Sequence, residues 1–151
     1  MVLMGLFGPL AARAQVPHIL ILDVAGIINP VKQRHISRAI DQAMENQSAV
    51  VVIELDTPGG LLSSTRGIVQ LLLDSPVPVV VYVSPRGARA GSAGTFITAA
   101  ANFAVMAPGT NIGAATPVSA TGGELEETLA INIENDAAAL IRSIAQERGR
   151  N

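Results

Sequence analysis

The chain has no cysteine, no tryptophan, one lysine and very few aromatic side chains. Each scarcity removes a class of function. Without cysteine there is no disulfide framework and no thiolate metal site, and the redox compartment stays open. Aromatics at 3% leave little for stacking nucleic-acid bases. A net charge of −2 with no basic stripe removes the electrostatic footprint of a nucleic-acid binder. The two histidines, His18 and His35, are not spaced as a ligand pair, so no metal is expected. Long apolar runs are missing as well. The best candidate for a membrane span, Ile68 to Val83, is broken by Asp74, Pro76 and Pro78 and falls short of the ~18 uninterrupted apolar residues required.

What remains is an aliphatic chain. Its 151 residues fit one domain, long enough to bury roughly 68–70% of its unfolded surface. Apolar residues make up 49%, so the core must be Val, Ile, Leu and Ala. Met1 to Leu10 is apolar, and Ala12-Arg13-Ala14 before Gln15 has the small-x-small form of a signal-peptidase site. This predicts a signal peptide over residues 1–14 and an exported domain over 15–151, although no Lys or Arg precedes Arg13.

His18 to Val24 and Ala49 to Leu55 are near-continuous apolar runs, the pattern of strands covered on both faces. Val77 to Val83 and Phe103 to Met106 read as two further strands. Between them lie helical patterns at Val31–Asn46, Leu61–Leu73 and Gly91–Asn102. Asn111 to Pro117 reads as irregular or a short strand, and Ser119 to Gly123 as a flexible segment. The 3.6-residue stripe Ile133, Ala137, Leu140, Ile141 and Ile144 predicts a last helix over Glu124–Glu147, capped by Gly149. Strands alternating with helices predict βαβ units and a parallel sheet. In such sheets the site forms at the carboxyl ends of strands. Two glycine-rich runs, Asp56–Gly60 and Gly87–Gly94, fall there.

The second run carries Ser92, between an incoming strand and an Ala-rich helix. Ala90-Gly91-Ser92-Ala93-Gly94 is close to the Gly-x-Ser-x-Gly elbow that exposes a nucleophilic hydroxyl, with Ala in place of the first Gly. An acyl-transfer site needs a nucleophile, a base and backbone amides for the oxyanion. The Ala93 amide and the Gly59-Gly60 backbone are candidate donors. On spacing alone the same run also suits a Gly/Ala-rich helix start packed tightly on a strand. The glycines form neither Gly-x-Gly-x-x-Gly nor a Walker loop, which argues against a nucleotide. Asp56 reads as a turn cap, His35 as a solvated helix residue, and Lys32 as a surface charge.

Taken together, Asp56–Gly60, Pro85–Thr95, Met106–Ala114, Asn135–Ala139 and Ala145–Asn151 resemble the protease domain of the NfeD family, membrane-bound serine proteases of the ClpP class. The resemblance runs from about Ile19 to Asn151. It implies an α/β fold of the ClpP/crotonase type, a spiral of ββα units with a mainly parallel sheet. It also implies endoproteolysis by a Ser–Lys dyad without cofactor or metal. The implied substrate is the hydrophobic C-terminal segment of a stomatin-like membrane protein. The domain would face outside the cytoplasm and self-associate, commonly as a dimer. Ser92 takes the place of the nucleophile, and Gly59, Gly60 and Ala93 supply the oxyanion donors.

The dyad lysine of that family precedes the Asn-Asp-Ala-Ala-Ala run by two intervening residues, and here that position is Asn132. An amide cannot serve as general base, and no lysine lies downstream of Lys32. Peptidase activity is therefore expected to be low or lost. The family's protease domain also runs further, usually into membrane helices and a small β-barrel, so a C-terminally truncated domain is expected. Two alternatives remain open. One is a pseudoprotease that grips a hydrophobic segment of a membrane partner. The other, weaker, is a crotonase-like acyl-CoA enzyme, against which the chain offers no basic cluster for a CoA phosphate.

Overall fold

The computed structural model describes residues 17–113 and 127–150. The leader with its cleavage site, and the Ser119–Gly123 segment, lie outside the described residues.

Strand β1 (Ile19–Ala25) leads into helix α1 (Pro30–Glu45). Asn29 starts that helix: its side chain accepts hydrogen bonds from the Val31 and Lys32 amides, both at 3.0 Å. Pro30 fills the first helical position, where no amide is needed. The 3.6-residue period puts Ile36, Ala39, Ile40 and Ala43 on the buried face. Strand β2 (Val50–Asp56), helix α2 (Leu62–Leu73) and strand β3 (Val79–Val83) repeat the unit. A short strand β4 (Arg89–Gly91), helix α3 (Ala93–Ala100), strand β5 (Phe103–Met106), strand β6 (Asn111–Gly113) and helix α4 (Glu127–Glu147) follow.

The main sheet is wholly parallel, in the order β1-β2-β3-β5. This confirms the α/β reading with a mainly parallel sheet. β4 and β6 form a second, two-stranded parallel sheet, which the sequence shows only in part. Arg89-Ala90-Gly91 has no β-branched run to announce it. Its strand geometry comes from tertiary bonds instead: Thr57 N–H donates to Arg89 O at 2.7 Å, and Gly91 N–H to Thr57 O at 2.9 Å.

One face of the main sheet is sealed by helices. Leu22, Val24, Val51, Ile53, Leu55, Val79, Val81 and Val83 lie there, all buried. Side chains alternate along a strand, so the other face carries Ile19, Ile21, Val52, Val80, Phe103 and Val105. Among the described residues nothing seals it: Ile19 is 60% exposed, Ile21 65% and Phe103 63%. The expectation of cover on both faces is thus met on one. The apolar pattern reports what a face can bury, and the neighbouring elements decide what it does bury.

The candidate active site

Both glycine-rich runs sit where the parallel sheet directs them, beyond the carboxyl ends of β2 and β3. After β2 the chain turns through Thr57. The Thr57 hydroxyl folds the turn on itself, accepting from the Gly59 amide at 3.0 Å and donating to the Gly59 carbonyl at 3.1 Å. The turn is then held from outside. Ile28 N–H donates to Gly59 O at 2.9 Å, and Leu61 N–H donates to Ile28 O at 2.9 Å. Across from it, Asp56 Oδ1 accepts from the Arg89 amide at 3.0 Å and fixes the start of β4.

Ser92 joins β4 to α3. Its backbone sits at φ 45° and ψ −107°, one of two non-glycine residues with positive φ among those described. A conformation of this kind costs about 1–3 kcal/mol and persists only where its surroundings impose it. Those surroundings are visible. Ser92 N–H donates to Gly113 O at 3.0 Å, and Thr95 N–H donates to Ser92 O at 2.9 Å. The Thr95 hydroxyl reaches Ala90 O at 3.2 Å and Gly113 O at 3.3 Å. The serine is thereby swung out of line at the start of α3, where first-turn amides have no partner within the helix. The dipole there also favours developing negative charge.

Gly59 faces this serine directly. It has φ 128°, and a Cβ built on it would lie 2.8 Å from Ser92 Cβ and 3.2 Å from Ser92 Oγ. Only glycine lets the two loops come this close. Gly94 serves the same approach two residues on, where a Cβ would lie 2.7 Å from the Thr57 methyl.

The structure therefore brings Ser92, Ala93, Gly59 and Gly60 together. The Gly59 amide is committed to the Thr57 hydroxyl, whereas no hydrogen bond of the Gly60 or Ala93 amides occurs among the described residues. Thr57, buried completely, is the participant that sequence reading passed over. The Thr-Pro-Gly-Gly order was its signal, since a hydroxyl two residues before a glycine can bond that glycine's amide.

Asn132 lies on the exposed side of α4, with no hydrogen bond to Ser92. Asp136, one turn later, forms an ion pair with Arg66 of α2. An open cleft next to Ser92 is lined by Pro58, Arg89, Gly91, Asn111, Ile112 and Gly113. Among the described residues, no three His, Asp or Glu side chains gather as a metal site. No described helix is long and apolar enough to cross a membrane.

The family model described as "NfeD1b, N-terminal domain" matches residues 18–151. The membrane-bound protease PH1510 of Pyrococcus horikoshii is 39% identical over 99% of this chain, which spans 34% of that protein's length. Two solved forms of a 1510-N membrane-bound stomatin-specific protease superpose with TM-scores of 0.81 each. One is a lysine-to-alanine mutant in complex with a substrate peptide, 39% identical over 89% of this chain and 62% of its own. The other is a serine-to-alanine mutant, 38% identical over 89% of this chain and 66% of its own. A mutant ClpP1 of Listeria monocytogenes, at 21% identity and TM-score 0.64, covers 87% of this chain and 73% of its own and shows the ClpP-like fold.

Proposed function

The chain belongs to the NfeD1b N-terminal domain family, and on that footing we propose that it is a ClpP-class serine endopeptidase domain whose base position is vacant. Ser92 is the nucleophile, the Gly60 and Ala93 amides receive the oxyanion, and Asn132 occupies the place of the general base. The observation that carries this reading is the conformation of Ser92: a strained serine at a helix start, packed against Gly59 and held by backbone bonds to Gly113 of β6 and Thr95 of α3. The relative solved as a lysine-to-alanine mutant with a substrate peptide supports assigning the missing function to a lysine.

The substrate in this proposal is an extended apolar segment, of the kind found at the C-terminus of stomatin-like membrane proteins. The cleft beside β6 supports it, because β6 pairs only with β4 among the described residues and leaves an edge to which a peptide strand can add. The relative PH1510 is membrane-bound. For this chain an extracytoplasmic face and a dimeric state are part of the same proposal. Neither cofactor nor metal has a role in it.

Loss of a general base costs about 10²–10⁴-fold. The expected result is therefore negligible cleavage of a hydrophobic stomatin-type peptide by the chain as it stands, cleavage by Asn132→Lys, and its loss again when Ser92→Ala is added. Equal cleavage with and without Asn132→Lys would mean that another group serves Ser92. The second reading, a peptide-binding pseudoprotease, is favoured by Asn132 itself. It would gain ground if the peptide binds all three proteins equally and none cleaves it.

A further inference from the structure

Just past the last turn of α4 lie two arginines that the site does not use, Arg148 and Arg150. Gly149, at φ 62°, ends the helix. Arg150 N–H donates to Ala145 O at 2.7 Å and Gly149 N–H to Gln146 O at 3.3 Å, the paired bonds of a glycine-terminated helix. This reversal delivers both guanidinium groups to one place. Arg148 donates through Nε to Ala100 O at 2.8 Å and through an Nη to Leu72 O at 2.7 Å. Arg150 donates through Nε to Ala99 O at 2.7 Å and through an Nη to Ala101 O at 2.6 Å.

The four acceptors share one property. Leu72 is in the last turn of α2, and Ala99, Ala100 and Ala101 close α3. These are the carbonyls a helix cannot satisfy by itself, at the end where its dipole favours positive charge. Two arginines thus gather the C-terminal ends of α2, α3 and α4. At their other ends those helices carry the Gly59–Gly60 turn, Ser92 and position 132. We propose that Arg148 and Arg150 are positioning residues, a clamp at the base of the three helices that sets the separation between position 132 and the Ser92 site. The inference rests on the peptidase reading for its consequence in catalysis, though not for its geometry.

The leverage is large. Sixteen residues separate Asn132 from Arg148, about 24 Å of helix. A tilt of about 5° at the clamp moves position 132 by about 2 Å over that length. Misplacement of about 1 Å at a reacting centre costs about 10²-fold. The upper half of α4 has little else to hold it. Residues 131, 132, 134, 135 and 136 are exposed, Ala137 is buried, and the Arg66–Asp136 pair is a surface contact, a class worth only about 0.2–1 kcal/mol.

The test uses the absence of native cysteine. Spin labels at Leu62→Cys and Asn132→Cys, both exposed positions, report the separation of α4 from the start of α2 by pulsed electron resonance. With the clamp intact a single narrow distance is expected. With Arg148→Met and Arg150→Met it should broaden and shift by about 2 Å or more. The Arg148→Lys, Arg150→Lys protein should fall between, since a lysine keeps the charge but cannot span two carbonyls; it also answers the question should the Met pair fail to fold. In the Asn132→Lys background the same changes should lower kcat about 10²-fold and leave KM within about twofold. An unchanged narrow distance in clamp variants that still melt cooperatively would overturn the proposal. An inactive Asn132→Lys parent would instead count against the peptidase reading, and the distance measurement would still decide the clamp.

Discussion

The two ends of the parallel sheet follow opposite rules. At the carboxyl end, Ser92 is held at positive φ, Gly59 is pressed against it, and the amides of Gly60 and Ala93 are unpaired among the described residues. At the amino end, backbone groups are paired across elements. Asn102 Oδ1 accepts from the Val79 amide at 2.8 Å, Asn102 N–H donates to Val79 O at 2.9 Å, and Arg148 and Arg150 close four helix-end carbonyls. Strain and open donors lie at one end, and the cross-element bonds of Asn102, Arg148 and Arg150 at the other. A site that must stabilise a developing oxyanion has to keep donors free, and a free donor contributes nothing to stability until substrate arrives.

This contrast can be broken in graded steps. The largest loss belongs to the core that both ends share. Ile144, 1% exposed, docks the lower half of α4, and Ile144→Ala should cost about 2–5 kcal/mol, read as a shift in the denaturant midpoint. Next is Gly59→Ala, which adds a Cβ at φ 128° against Ser92 and should destabilise by about 1–3 kcal/mol. A smaller effect of opposite sign is expected at Ser92. Ser92→Gly relieves the positive φ and should stabilise the fold by about 1 kcal/mol; a destabilised Ser92→Gly protein would show that the serine is not strained. The smallest change separates the two sheet faces. Ile21→Ser, on the uncovered face, should stay within about 0.5 kcal/mol of the parent, and a loss of several times that would reveal a covering partner.

Much of this was legible in the sequence. The order of the long elements, the parallel sheet and the position of Ser92 follow from periodicity and from where glycine-rich runs meet strand ends. The shorter elements were not, and the reason is physical. β4 and β6 have three residues each, too few for a side-chain period, and exist because Thr57 and Ser92 supply bonds from elsewhere in the chain. The commitment of the Gly59 amide to Thr57 was hidden for a similar reason: a Thr-Pro-Gly-Gly string shows that the turn can form, not which donor it consumes. The arginine clamp joins residues 48 to 76 positions apart, a separation no local pattern records.

In the proposed function Ser92 is a nucleophile waiting for a base. Its most direct test is intact-mass measurement, with peptide mapping, after exposure to a fluorophosphonate that reacts only with activated serines. The account predicts one adduct, on Ser92, in the Asn132→Lys protein, with labelling of the chain as it stands slower by about 10²-fold or more. Equal labelling of both proteins, or an Asn132→Lys protein that takes up no adduct at Ser92, would contradict it.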